Sequence, residues 1–145
     1  MALKAPEKKY SQIPTAEKVR LLAGTLYEKQ GREIVGLDLS RQPTPTEAAI
    51  LVTGTSQRHA KALADAVLDT CREENIEYLG MEGYKGGLWI LMDLNDLLIH
   101  IFQGEGRSLF NLEGLWAGAG RLDTGITEDK AESSDYTGDY DDEGA

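Results

Sequence analysis

Residues 48–53, AAILVT, form an uninterrupted uncharged run that stops at Gly54. The run is too short for an ordinary helix and apolar on both faces, so it reads as a central buried strand. Thr55 or Ser56 is then placed to cap a helix whose apolar stripe is Ala60, Leu63, Ala64, Val67, Leu68 and Cys71. Arg58, Lys61, Asp65, Asp69, Arg72 and Glu73 fall on the other side, giving one buried and one solvated face. A strand followed by an amphipathic helix demands a layered α/β arrangement in which the helix covers the sheet.

The rest of the chain extends this layer. Thr15, after Pro14, is a candidate N-cap, and Val19, Leu22, Ala23, Leu26 and Tyr27 recur at helical spacing until Gly31. Ile34–Ser40 suits a strand and is followed by the Pro-containing loop RQPTPT. Glu77–Glu82, Leu88–Asp93 and Leu97–Phe102 read as three more strands, joined by the loop GYKGG and the turn Leu94-Asn95-Asp96. A last short helix is expected over Leu109–Trp116. The order α-β-β-α-β-β-β-α predicts a single α/β domain with one mixed five-stranded sheet flanked by helices, and argues against a doubly wound parallel fold.

With 145 residues, 41% of them hydrophobic, the chain has the size and apolar content of one domain. Its single cysteine, Cys71, allows no intrachain disulfide, and the spacing of His59 and His100 suits no metal pair, so a reducing cytoplasmic setting without metal or cofactor is expected. The opening MALKAPEKKYSQIPTAEK lacks the apolar stretch of a secretory signal, and no stretch suits a membrane span. The net charge of −10 is concentrated in the tail: from Asp123 onward there are nine acids against Lys130 alone, leaving −2 for everything before. Three parts follow: a flexible arm over 1–14, a globular domain over 15–120, and a disordered acidic tail over 121–145 with too little apolar surface to offset its ordering entropy.

The stretch GYKGGLWILMDLNDLLIHIFQGEGRSLFNLEGLW resembles the C-terminal signature of ribosomal silencing factors, the Iojap-like family. In that signature a Trp-bearing strand, a tight acidic turn, a strand ending in His-x-Phe and a Leu-Glu-x-Leu-Trp helix follow in order. IVGLDLS and LVTGTSQRHAKALADAV resemble earlier family segments, so the likeness spans about 31–116. The family's turn Gly is Asn95 here, a change that positive φ tolerates, and its usual Tyr before the last Leu-Glu is Phe110. The resemblance implies a nucleotidyltransferase-like topology without catalysis. It also implies docking on the large ribosomal subunit through ribosomal protein fourteen, exclusion of the small subunit, lowered translation when nutrients are short, and for some members a homodimer when free.

On these grounds the partner-binding residues are expected to be Tyr84, Leu88, Trp89, Asp93, Asp96, Arg107, Phe110 and Trp116. Trp89, Asp93, Asp96, Arg107 and Trp116 also have plainer alternatives. Alternation sets Trp89, Leu91 and Asp93 opposite Leu88, Ile90 and Met92, so Trp89 is either an interface anchor or packing beneath a helix. Asp93 and Asp96 are either turn formers or carboxylates that orient a basic partner. Arg107 pairs with Glu113 or Asp96, or makes a minor rRNA phosphate contact. Tyr84 is an aromatic on a loop, Leu112, Leu115 and Trp116 share one helical stripe, and His100 reads as a hydrogen-bonded core residue.

Two other functions compete. Gly54-Thr55-Ser56 after a strand resembles a nucleotidyltransferase phosphate turn, but metal-dependent transfer needs converging carboxylates and Asp38-Leu39-Ser40 supplies half of such a motif. A direct RNA-binding module would show a basic run with aromatic strands; the domain before the tail is near neutral and has neither.

Overall fold

The computed structural model describes residues 13–126. Of the arm expected over 1–14 and the tail expected over 121–145, residues 1–12 and 127–145 lie outside the described residues. Helix α1, Thr15–Glu28, leads into strands β1, Arg32–Asp38, and β2, Ala48–Gly54. Helix α2, Gln57–Glu74, precedes β3, Gly80–Glu82, β4, Trp89–Asp93, and β5, Leu97–Gln103. Two short helices, α3, Gly106–Phe110, and α4, Leu112–Leu115, then give way to β6, Gly120–Leu122.

The strands form one sheet in the order β3-β4-β5-β2-β1-β6, with β2 and β5 parallel and every other pair antiparallel. A parallel pair needs a long crossover, which α2 supplies by carrying the chain from central β2 to the β3 edge, from where β4 and β5 return. Both residue sets of β2 are buried: Ala48, Ile50 and Val52 meet α1 and α2, while Ala49 and Leu51 face the other layer. The mixed sheet is as expected, but it has six strands instead of five. The sixth, β6, is three residues with no alternation of its own, specified by pairing Gly36 with Leu122 and Asp38 with Gly120. It draws Arg121 and Leu122 into the sheet, past the boundary set at residue 120.

Both long helices follow their stripes. In α1, Val19, Leu22, Ala23 and Leu26 are buried and Tyr27 is exposed; in α2, Ala60, Leu63, Ala64, Val67 and Cys71 are buried. Burial pushes the Cys71 thiol up to about 11, which keeps it protonated and unreactive at neutral pH. Ser56 is the N-cap of α2, accepting from the His59 amide at 3.0 Å, and Asn75 closes the helix in the left-handed region. Thr15 is not a cap. It is already helical, with Pro14 before it, and its hydroxyl lies 2.7 Å from carboxylate oxygens of both Glu47 and Asp96, donating to one of them at a time.

One α1 residue was not anticipated. Lys18 has no exposed surface, and its ammonium lies 2.9 Å from Glu77 and 3.2 Å from Asp96. The three groups bind α1, the segment after α2 and the β4–β5 turn to one another. Asn95 holds that turn at φ 82°, with its amide on the Asp93 carboxylate at 2.9 Å, so the residue replacing the family glycine does adopt positive φ.

Candidate functional site

Among the described residues no long helix lies over the face of the sheet away from α1 and α2. Strand register sets Trp89 beside Phe102 and Leu91 beside His100, while α3 and α4 lay Phe110, Leu112 and Trp116 across one end. Trp89 stands 4.4 Å from the Phe110 ring and 5.4 Å from Phe102, centroid to centroid, and Trp116 is edge-on to His100 at 6.1 Å. Offset and tilted rings at these spacings attract beyond their buried area. The cluster is only half covered: Trp89 and Trp116 keep partial exposure, as do Leu91 and Leu98 farther along the sheet.

An apolar fringe continues it. Leu88 is 49%, Leu109 75%, Phe110 37% and Leu115 68% exposed, and a shallow groove beside them is lined by Leu88, Gln103, Glu105, Ser108 and Leu109. Leu88 and Phe110 both border Gly106, where an added Cβ would lie 3.6 and 3.8 Å from their side chains. Large apolar side chains clustered beside half-exposed aromatics have the composition common at the centres of protein interfaces. The last helix was expected unbroken over 109–116, with Leu115 seated on the sheet. Instead Asn111, at φ 49°, ends α3 and caps α4 through the Gly114 amide at 3.1 Å, which turns Leu115 outward.

Beneath the cluster, the Trp89 indole donates to His100 Nδ1 at 3.1 Å. An indole is only a donor, so this imidazole is neutral with its proton on Nε2. Burial lowers the His100 pKa to about 4, and Nε2 has no hydrogen-bond partner. His100 is therefore the hydrogen-bonded core residue its apolar strand implies. The neutral ring is favoured in the folded state, so between pH 6.5 and 4 the unfolded chain binds more protons than the folded one. Stability from this group is complete above pH 6.5 and is lost on acidification through that window, by ~3 kcal/mol for a shift of this size. Denaturant unfolding at pH 7 and pH 5 should show a steeper acid loss for the native chain than for His100→Gln; parallel profiles would refute this reading.

The expected partner residues divide. Trp89, Phe110 and Trp116 meet at this face with Leu88 on its fringe, and Asp93, half-buried at its far end, also accepts its turn amide. Asp96 is buried on Lys18 and Thr15, because the turn tucks it beneath α1. Tyr84 belongs to the opposite layer, where its hydroxyl donates to Asp65 at 3.0 Å and Lys61 lies over its ring. Gln57 holds the same loop through the Lys85 and Gly86 carbonyls, so the loop is fastened to α2.

Arg107 is also turned inward and is almost wholly buried. It makes the internal pair with Glu113, through Nε at 3.1 Å and Nη2 at 2.9 Å, and none with Asp96. Its Nη1 donates to the Glu33 carbonyl and to Thr53 Oγ1. The Arg107 hydrogen bonds hold the Glu113 carboxyl below its ordinary pKa. Sequence reasoning missed the exposure of Leu109 and Leu115 and the burial of Lys18. For Lys18 a signal existed, since 18, 22 and 26 repeat every four residues along the buried stripe.

Among the described residues no group of three or more His, Cys, Asp or Glu is arranged to hold a metal ion, and no helix is long and apolar enough to cross a membrane.

Known proteins share this architecture. A family model described as ribosomal silencing factor during starvation matches residues 12–144. Over 99 residues the chain is 36% identical to a ribosomal silencing factor of Haemophilus influenzae, covering 68% of this chain and 97% of that one. Against a ribosomal silencing factor of Bacillus subtilis it is 30% identical over 112 residues, 76% of this chain and 95% of the other. A crystal structure of a Chromobacterium violaceum protein superposes with a TM-score of 0.67 at 30% identity, covering 72% of this chain and 88% of that one.

Proposed function

The chain belongs to the ribosomal silencing factor family, and from that premise we propose that its half-covered aromatic face docks on the large ribosomal subunit through ribosomal protein fourteen. Its bulk then keeps the small subunit from joining, which lowers translation in the cytoplasm when nutrients are short. The observation that carries this reading is the Trp89–Phe110 cluster with Leu88 and Leu109 beside it, a concentration of apolar anchors on one surface. Asp93 and Glu105 lie on the β4 and α3 sides of that surface and suit a basic protein partner. In this reading Asp96 and Arg107, both held inside the chain, make no direct contact with the partner. In the free protein the same apolar surface suits a homodimer.

The enzyme alternative is opposed by topology. Asp38 pairs with Ala48 at the start of β2, whereas Gly54 ends it six residues later, ~20 Å away at strand rise. Asp38 is occupied by the Ser40 hydroxyl and amide, and the Thr55 amide by His59 Nδ1. Phosphate turn and carboxylate therefore share no centre. Nucleotide turnover with magnesium should be absent, and Asp38→Ala should change nothing; sustained turnover lost in that variant would reinstate the enzyme.

The docking test is direct. Added to ribosomal subunits in a sucrose gradient, the protein should comigrate with large subunits and reduce coupled particles. Undiminished coupling at saturating protein would defeat the proposal.

A further inference from the structure

The α3–α4 segment carries Phe110, Leu109 and Trp116, yet the two helices span only five and four residues. Helices so short do not hold themselves, so their position depends on tertiary ties. The most extensive polar tie is Arg107. Its guanidinium reaches the β1 carbonyl of Glu33, the Thr53 hydroxyl on β2 and both carboxylate oxygens of Glu113 on α4. Glu33 is a non-glycine residue at φ 54° where the β1–β2 register shifts, and Thr53 Oγ1 also donates to its carboxylate at 3.2 Å. A left-handed residue in a strand persists only where its surroundings hold it, and here the carbonyl at that bulge meets Arg107.

We infer that Arg107 is the positioning residue of the docking face: with Glu113 it locks α3 and α4 onto the Glu33 bulge and presents Phe110 and Trp116 to the partner already ordered. The inference rests on the docking reading above. An unclamped segment would have to be ordered during association, so affinity falls even where the folded domain survives. Lysine cannot replace arginine here, because a single ammonium cannot span three acceptor groups in a planar fork.

The experiment measures binding of the full chain to purified large ribosomal subunits, with unfolding midpoints and near-ultraviolet circular dichroism recorded in parallel. Arg107→Lys should weaken binding at least tenfold and alter the aromatic circular dichroism well below its unfolding midpoint. Glu113→Ala should weaken binding several-fold, and the double variant should be no worse than Arg107→Lys, because both act through one contact. Thr46→Ala, a buried change at the far end of β2, serves as a folded control expected to bind normally. Folded Arg107→Lys binding like the native chain, or additive losses in the double variant, would overturn the clamp. Phe110→Ala separates the two readings: if it binds normally the face itself is wrong, and if it fails while Arg107→Lys binds, only the clamp is wrong.

Discussion

Trp89→Ala combined with Asp93→Arg will abolish comigration with large subunits and restore subunit joining, with affinity falling more than ~100-fold. Removing the indole takes away the centre of the aromatic cluster, and a buried aromatic anchor of this type contributes ~2–4 kcal/mol to an interface. Reversing charge at Asp93 sets an arginine against a basic partner, which slows encounter and adds repulsion. The same indole also donates to His100, so its loss leaves a buried imidazole nitrogen unpaired and lowers stability. A surface variant removes that ambiguity. Leu109 is three-quarters exposed, so Leu109→Asp leaves the core intact and should still weaken docking at least tenfold. Native-like binding by folded Leu109→Asp and Phe110→Ala would show that the interface lies elsewhere.

Lys18→Met will cost ~3–5 kcal/mol of stability, the effect of removing one member of a buried ion cluster. The lysine is fully enclosed, and its removal leaves Glu77 and Asp96 facing one another without a cation. Methionine fills much of the same volume, so the loss reports charge more than packing. One oxygen of Glu77 already lacks a hydrogen-bond partner. Neutralising the acids as well, in Lys18→Met with Glu77→Gln and Asp96→Asn, should recover a substantial part of the loss, because no uncompensated charge remains. Urea unfolding at neutral pH measures both variants. A single variant as stable as the native chain would mean the cluster is replaceable, and a triple variant worse than the single would mean its hydrogen bonds matter more than its charges.

Local pattern reached far into the fold. The apolar run of β2, the stripe of α2 with a cap at Thr55 or Ser56, and the left-handed Asn95 turn were each readable, because backbone propensity and alternation act over a few residues. β6 was not readable, since Gly-Arg-Leu forms a strand only when β1 offers it an edge. At the candidate site, alternation placed Trp89 opposite Ile90 and Met92, and the family signature singled out Phe110 and Trp116. It could not separate Asp93 from Asp96. Both are turn carboxylates three residues apart, and which one goes under α1 depends on Lys18, 78 positions away from Asp96 along the chain.

Taken alone, the order of residues determined the layered α/β class, the five principal strands, the two long helices and the family. These follow from hydrophobic period and short-range stereochemistry. Tertiary structure alone decided that Asp96 and Arg107 point inward, that Tyr84 belongs to the helical layer, and that Leu109 and Leu115 face solvent. A charged side chain is drawn inside or left in water according to the partners that distant segments bring to it, and a short helix faces whichever way its ties hold it.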